Sequence, residues 1–228
     1  MELSIVIPVF NEEKYLEDCL ISILSQNVSF NYEVIVSDAG SRDKSLEIAE
    51  RYANLVVHSP FKSIGAVRNY GAKFAKGKYL FFVDADTILP QGYLQKVHKV
   101  FTNNKGLAAF CGCFKFKEKG PKLFFSEIIA NFYFIIKDKI GLTTLPGGSG
   151  IAIRKEIFEE VGGFPVSFGE DTEFSSRLRK ICKIRYLSNL YVVTSGRRIV
   201  KMGLLNTLRY YMRGSRTREF EKSYVSCR

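Results

Sequence analysis

A short apolar run that ends in two aspartates is the feature that most constrains the fold of this chain. Leu80–Val83 consists of β-favouring side chains and is long enough for a buried strand, and Asp84-Ala-Asp86 follows it directly. Ligands of open α/β sheets bind outside the carboxyl ends of the strands, so the pattern predicts a site here. Two carboxylates on either side of the small Ala85 supply hard oxygen ligands for Mg²⁺ or Mn²⁺, and such an ion can bridge a substrate diphosphate.

The Asp-x-Asp pattern alone is compatible with other structures. It is also typical of a solvated turn, and haloacid-dehalogenase phosphatases carry a similar pattern after a strand. The rest of the chain has to decide between these alternatives.

Strand-like and helix-like segments alternate over the first 100 residues. Leu3–Phe10 is predicted as a central parallel strand with Pro8 near its end, and Tyr32–Ser37 and Leu55–Val57 as further strands. Apolar residues at three-four spacing predict helices between the strands, the first of them capped by Asn11. The alternation predicts an α/β fold with a doubly wound, mainly parallel sheet.

The second half is less regular. Leu123–Ile136 is strongly apolar but interrupted by polar residues, and a spanning helix needs about 20 apolar residues. We therefore expect a buried or interfacial helix and no membrane span. A Gly-rich loop at 143–150 precedes the predicted strand Ile151–Arg154, and a helix is expected to begin at Gly169.

The charge of the chain is concentrated at its C-terminal end. The formal net charge is +11, and Arg197–Arg228 holds nine basic and two acidic residues, a net of +7. A basic, amphipathic tail at 197–228 indicates an anionic surface, either phospholipid or nucleic acid, or else a solubilising segment. The absence of a signal peptide and five scattered cysteines indicate a cytoplasmic protein with reduced thiols, peripheral on the cytoplasmic face of the membrane if it binds one.

Carboxylates recur at the predicted strand and loop ends. Glu12 and Asp38 follow the first two strands, the aspartate pair follows another, and Asp171 opens a later helix. A nucleotide-diphosphate donor needs such a set: groups for the base and the ribose, a metal site for the diphosphate, and a base for the acceptor hydroxyl. Arg68, at a predicted helix start, can add a charge-assisted contact to the donor.

Five spaced motifs resemble those of the inverting family 2 glycosyltransferases with the GT-A fold. They are, in chain order, Val6-Ile-Pro-Val-Phe-Asn-Glu-Glu13, Asp38-Ala-Gly-Ser-Arg-Asp43, Ala66-Val-Arg-Asn-Tyr-Gly71, Asp84-Ala-Asp86 and Gly169-Glu-Asp171. Each motif is weak alone, but five in this order and spacing are specific. The resemblance spans Leu3–Lys180 and implies a GT-A domain at 1–196, with a nucleotide-sugar half at 1–100 and an acceptor half at 101–196.

The resemblance also implies a role for each matching residue. The donor side comprises Pro8, Val9, Glu12, Asp38, Arg68, Asp84 and Ala85, with Asp38 at the nucleobase. Asp86 and Asp84 hold Mn²⁺ or Mg²⁺. The acceptor side comprises Gly148, Ser149 and Glu170, and Asp171 is the general base for a single inverting displacement. Arg197 and Arg198 are expected to contact a diphosphate of the donor or of a lipid carrier, or to serve the structure alone.

The implied activity is a non-processive transferase of the hexosyltransferase type. Its donor would be a UDP or GDP sugar and its acceptor a glycan or lipid carrier; the processive Gln-x-x-Arg-Trp signature is absent, and Ala39 replaces the second Asp of the family's turn. A haloacid-dehalogenase phosphatase needs a nucleophile on the first strand, which here ends in Pro8-Val-Phe-Asn11. A non-catalytic module that binds membrane surfaces would explain the tail but not the carboxylates, and a carboxylate-lined cleft disfavours nucleic acid.

Overall fold

The structure is a computed structural model that describes residues 1–167 and 169–202. Its strands are β1 Leu3–Val9, β2 Tyr32–Asp38, β3 Leu55–His58, β4 Tyr79–Phe82, β5 Leu107–Phe116, β6 Ile151–Arg154 and β7 Lys183–Thr194. Its α-helices are α1 Leu16–Leu24, α2 Ser45–Tyr52, α3 Ile64–Ala72, α4 Tyr93–Asn103, α5 Pro121–Lys139, α6 Lys155–Glu160, α7 Glu170–Ile181 and α8 Arg197–Met202. A 3₁₀ turn covers Gly147–Ser149.

The strands form one mixed sheet in the order β3-β2-β1-β4-β6-β5-β7. β1 is parallel to β2 and β4, and β2 to β3, whereas β6 runs antiparallel to both β4 and β5. This arrangement confirms the mixed, mainly parallel sheet. Because β1, β2 and β4 are parallel neighbours, the loops that follow them open on one edge, as predicted.

Apolar residues of the strands alternate between two cores, one on each face of the sheet. Ile5 and Ile7 of β1 belong to the core that α1 and α4 cover, and Val6 belongs to the other. In this second core, the Phe82 ring lies 4.9 Å from the ring of Phe164 and 5.1 Å from that of Phe158. The site therefore rests on a sheet that is packed on both faces.

Two local predictions are wrong. Asn11 does not cap α1, whose N-cap is Tyr15; Asn11 adopts a left-handed φ of 54°. In this conformation its side chain accepts the Arg42 N–H and its own N–H donates to Ser41 Oγ, so it joins two loops instead. The ten-residue strand β5 has no counterpart among the predicted strands, because Gly112 and Lys115 obscure its pattern.

The described residues bear on two other predictions, and a third falls mostly outside them. Cys19 and Cys111 are buried free thiols, and Cys113 and Cys182 are free and partly exposed. None of the helices in the described part of the chain is long and apolar enough to cross a membrane. Most of the basic, amphipathic tail predicted at 197–228 falls past Met202, outside the described residues, as does Cys227.

A matched pair of glycine substitutions tests the junction between β1 and β4. Gly77 donates its N–H to Ser4 Oγ, and a Cβ there would lie 2.5 Å from the Ser4 nitrogen. We expect Gly77→Ala to lower the free energy of unfolding by about 1–3 kcal/mol in urea denaturation, because the backbone must shift. Gly106 also precedes a strand but has no atom within 4 Å of its Cβ position. Gly106→Ala should change stability by less than about 0.5 kcal/mol, and equal losses in both variants would contradict the packing argument.

Candidate active site

The ends of three parallel strands bring the predicted donor-side residues to one edge of the sheet. Asp38 ends β2, Glu12 follows β1 and Asp84 follows β4. Pro8 and Val9 end β1, beyond its last pairing with β4 at Val6 and Phe82. Asp38 and Glu12 are only 2% and 3% exposed, so the polar edge is partly sunk into the fold.

Asp38 orders the turn that follows β2. Its carboxylate accepts the Gly40 N–H at 2.9 Å and the Ser41 N–H at 3.1 and 3.2 Å. Ala39 is buried at 3% exposure, its N–H donates to the Val9 carbonyl, and its own carbonyl accepts from Lys62 Nζ. A small side chain at position 39 therefore fits the fold. Contact between Asp38 and a nucleobase stays a prediction.

Arg68 joins the aspartate turn to the start of α7. It is the fifth residue of α3, not at the helix start as predicted, and it is 2% exposed. Its guanidinium donates to Asp84 Oδ1 at 2.7 Å and to Glu170 Oε1 at 3.0 Å, and it lies 5.2 Å from the centre of the Phe164 ring. The donor contact predicted for Arg68 stays a prediction, but the charge of this side chain is directed at two carboxylates.

The Gly-rich loop lies against both Arg68 and α7. A Cβ on Gly147 would lie 2.7 Å from Arg68 Nη2, so a larger residue there would have to displace the guanidinium. The Gly147 N–H donates to Asp171 Oδ2 at 3.3 Å. Gly148 borders open space, whereas Ser149 is fully buried. Of the two predicted acceptor residues in this loop, Gly148 is therefore the accessible one, and its contact with an acceptor stays a prediction.

Asp171 and Glu170 open α7 with different surroundings. Asp171 is partly exposed, and its Oδ1 also accepts the Thr172 N–H at 2.7 Å. Glu170 is more enclosed: burial raises its pKa to about 7, although the charge of Arg68 favours the ionised form, and the neighbouring Asp171 raises it further. The two acidic residues differ in their partners: Asp171 accepts backbone N–H groups, whereas Glu170 pairs with Arg68.

Arg197 closes the other side of the aspartate turn. It donates to both carboxylate oxygens of Glu12, at 2.8 and 2.6 Å, and its Nη2 lies 3.2 Å from Asp86 Oδ2. Burial alone would lower the pKa of Arg197, but the hydrogen bonds to Glu12 and the charge of Asp86 raise it above its usual value. Its guanidinium also lies over the Tyr15 ring. Arg198 is half-buried in the same turn of α8.

The donor set fits a hard divalent cation. Asp84 and Asp86 present oxygen ligands, with side chains 25% and 14% exposed. Within residues 1–167 and 169–202, no three His, Cys, Asp or Glu side chains come together as a cage. Two carboxylates with the remaining ligands from substrate and water is the arrangement expected where Mg²⁺ or Mn²⁺ binds together with phosphate.

The sequence model of "Glycosyl transferase family 2" matches residues 4–162. The chain belongs to this family. Among curated relatives, the uncharacterized glycosyltransferase EpsJ of Bacillus subtilis is 34% identical over 117 residues, which are 49% of this chain and 34% of the relative. The poly(ribitol-phosphate) beta-glucosyltransferase of Bacillus spizizenii is 42% identical over 94 residues, 38% of this chain and 15% of the relative. The chain thus spans about a third or less of the length of these relatives.

Solved structures confirm the GT-A architecture of this family 2 member. Staphylococcus aureus TarS 1–349 in complex with UDP-GlcNAc superposes with a TM-score of 0.67 at 24% identity, covering 86% of this chain and 59% of TarS. The mannosyltransferase PcManGT of Pyrobaculum calidifontis, in complex with GDP-Man and Mn²⁺, superposes with a TM-score of 0.70 at 18% identity, covering 98% and 64%. Family membership decides against the haloacid-dehalogenase alternative.

Some neighbours of the family 2 site carry no local sequence signal. Thr194, at the end of β7, donates its hydroxyl to Asp86 Oδ1 at 3.4 Å across 108 positions of the chain. Cys19 lies beneath the turn, with its Sγ 3.7 Å from the Asp84 carbonyl oxygen, and burial raises its pKa well above the usual value. Glu118 accepts from Ser195 and from the Gly196 N–H and so holds the start of α8. Only the tertiary fold brings these residues to the site.

The raised pKa of Glu170 predicts a pH dependence of stability. The value is about 7 in the folded chain, against an ordinary 4.5, so the folded state holds this proton more tightly. The contribution of Glu170 to stability is therefore complete below about pH 4.5 and is lost as the pH rises through about 7. In urea denaturation at constant salt, the free energy of unfolding of the wild type should decrease between pH 5 and pH 8. In Glu170→Gln this decrease should be smaller.

The matched control for this prediction is Glu173→Gln. Glu173 lies in the same helical turn, and hydrogen bonds from Ser167 and Arg177 lower its pKa, so it is ionised throughout this range. Replacement of Glu173 should leave the pH dependence of the unfolding free energy as it is in the wild type. An unchanged slope in Glu170→Gln would show that Glu170 does not titrate near neutrality.

Proposed function

We propose that this chain transfers a sugar from a nucleotide-diphosphate sugar to an acceptor hydroxyl, with inversion at the anomeric carbon and one transfer per encounter. One observation carries the proposal: the buried Arg68 holds Asp84 of the aspartate turn and Glu170 beside Asp171 within a single cluster of ion pairs. The Arg68 guanidinium thus lies between the aspartate turn, which is suited to a diphosphate, and the start of α7, where Asp171 is suited to an acceptor.

The donor is proposed to lie along the carboxyl edge of β1, β2 and β4. Its nucleobase would lie toward Asp38 and its diphosphate toward the aspartate turn. The family 2 relationship and the UDP-GlcNAc and GDP-Man of the two structural neighbours support a UDP or GDP sugar. Since one neighbour binds a uridine nucleotide and the other a guanosine nucleotide, both bases are candidates for this chain.

A divalent cation is proposed on Asp86 and Asp84. When bound, Mn²⁺ or Mg²⁺ would neutralise charge that develops on the departing nucleotide diphosphate. The residues of the chain add to this: Arg197 lies 3.2 Å from Asp86 and is placed to donate hydrogen bonds to a diphosphate beside it. Glu12 holds the Arg197 guanidinium in a bidentate pair and so orients it.

Asp171 is proposed as the general base. Its carboxylate, oriented by the N–H groups of Thr172 and Gly147, would take the proton of the acceptor hydroxyl as that oxygen attacks the anomeric carbon. The bond to the nucleotide diphosphate breaks in the same step, so the product has the opposite anomeric configuration. We propose a lipid-linked or membrane-surface glycan at the cytoplasmic face as the acceptor, on the strength of the +7 net charge of residues 197–228.

Nucleotide binding tests the donor and metal proposals first. The melting temperature of the full chain is measured with UDP, GDP and their sugars, each with Mn²⁺, with Mg²⁺ and with a chelator. A ligand at a hundredfold excess over its Kd should raise the melting temperature by about 5 °C or more, because it binds only the folded state. We expect this shift to need both nucleotide and cation.

Asp86→Asn should abolish the cation-dependent part of the shift. Asp18→Asn is the matched control, since the Asp18 side chain is 57% exposed and pairs with Lys117 on the surface. That control should keep the full shift. If no nucleotide stabilises the wild type with either ion, the donor proposal fails.

Asp171→Asn separates catalysis from donor binding. Loss of a general base should lower kcat by about 10²–10⁴-fold, measured as nucleotide released with the active donor and an acceptor mixture that includes membrane lipid extract. The nucleotide-dependent thermal shift should persist in this variant. Glu173→Gln, in the same turn of α7, should retain wild-type turnover, and NMR of the product should show inversion. Near-normal turnover in Asp171→Asn would remove Asp171 from the reaction.

A further inference from the structure

Polar side chains hold α5 against the sheet. Glu127 Oε2 accepts the Phe116 N–H at 2.9 Å, and Asn131 bonds both the N–H and the carbonyl of Phe114, at 3.1 and 2.8 Å. Asp138 accepts the Tyr186 N–H at 2.9 Å at the other end of the helix. The end of β5 extends past its pairing with β6, and these helix side chains satisfy the backbone groups left there.

The opposite face of α5 is apolar and open. Seven large side chains on it are between 41% and 65% exposed: Phe124, Phe125, Ile128, Ile129, Phe132, Tyr133 and Ile136. We call these seven residues the outer face of α5. A helix on the surface of a water-soluble domain normally turns its apolar face inward and its polar face outward. Here the polar residues face inward, so the outer face is suited to an apolar environment.

The charges around the outer face indicate which apolar environment it meets. The acidic side chains of α5, Glu127 and Asp138, are both engaged with the sheet. Its basic residues stand at the two ends of the helix, with Lys122 before the apolar residues and Lys137 and Lys139 after them. Aromatic and aliphatic side chains between lysines are the pattern of a helix that lies in the interface of a membrane with anionic lipids.

We propose that the outer face of α5 docks on the surface of an anionic lipid bilayer, with the helix parallel to the membrane plane. The rings and aliphatic chains would enter the boundary between headgroups and acyl chains. The lysines at both ends would contact lipid phosphates. This surface belongs to residues 124–136, and the proposal deepens the part of the proposed function that concerns a membrane acceptor.

The docked helix would be connected to the acceptor side of the site by the loop that follows it. α5 is followed by the Gly-rich loop, and two hydrogen bonds fix that connection: Thr143 to Asp138 at 2.9 Å and Lys137 to Thr144 at 2.6 Å. The same loop contacts Arg68 and Asp171 through Gly147. A bilayer against the outer face would therefore lie next to the loop that borders Asp171.

Vesicle binding of the full chain tests the proposal without donor or acceptor, so it can fail independently of the transferase. Flotation is measured with phosphatidylcholine vesicles that contain none or 30% phosphatidylglycerol. The triple variant Phe125→Ser/Ile129→Ser/Phe132→Ser should lose at least tenfold in partitioning to the anionic vesicles. Leu24→Ser/Phe74→Ser/Ile181→Ser, three exposed apolar residues elsewhere, is the matched control and should bind as the wild type does.

A fluorescence measurement identifies what covers the face. The chain has no tryptophan, so Phe132→Trp introduces a single reporter, with Phe74→Trp as its control. Emission at position 132 should shift to the blue on vesicles and be quenched by brominated lipids, whereas emission at position 74 should do neither. Unchanged vesicle binding of the triple serine variant would overturn the proposal. A blue-shifted, concentration-dependent signal at position 132 without lipid would also overturn it and assign the face to a second copy of the chain.

Discussion

The site depends on one buried cation. Arg68 is 2% exposed, and taking a guanidinium out of water costs several kcal/mol unless opposite charges surround it. Asp84 and Glu170 provide those charges from segments 16 and 102 positions away. Neither the aspartate turn nor the start of α7 can move far without leaving a charge unpaired in the interior. The ion-pair cluster thus fixes the spacing between the aspartate turn and the start of α7.

A second arginine, Arg197, offsets part of the negative charge of the aspartate pair. Arg68 pairs with Asp84, and Arg197 approaches Asp86 while holding Glu12. Each aspartate therefore lies beside a different arginine, which reduces the repulsion between two carboxylates that only one residue separates. The arginines differ in freedom, because Arg68 lies inside α3 whereas Arg197 is 18% exposed at the start of α8. Arg197 is therefore the more accessible of the two arginines beside the aspartate turn.

The sequence predicted the carboxyl edge well because the information that defines this edge is local. Apolar runs mark the strands, and parallel neighbours place their ends together, so Glu12, Asp38 and the aspartate turn could be placed from the amino-acid pattern alone. The ion pairs of Arg68 and Arg197 could not, since they join residues up to 185 positions apart. The prediction that Asn11 caps α1 was wrong for a related reason. Asn11 forms hydrogen bonds with the loop that follows β2 instead of with the start of the helix. Local propensity decides an element only where tertiary contacts do not compete.

The packing of helix α5 could not be predicted from its local sequence either. Glu127 and Asn131 look in the sequence like interruptions of an apolar run, yet they are the residues that attach the helix to β5. Unpaired backbone groups of β5 need hydrogen-bond partners, and this need determines which face of α5 turns toward the sheet. The site holds more carboxylates than arginines, so the excess positive charge of the chain falls outside it. The proposed membrane contact would draw on this excess through the lysines that flank the outer face.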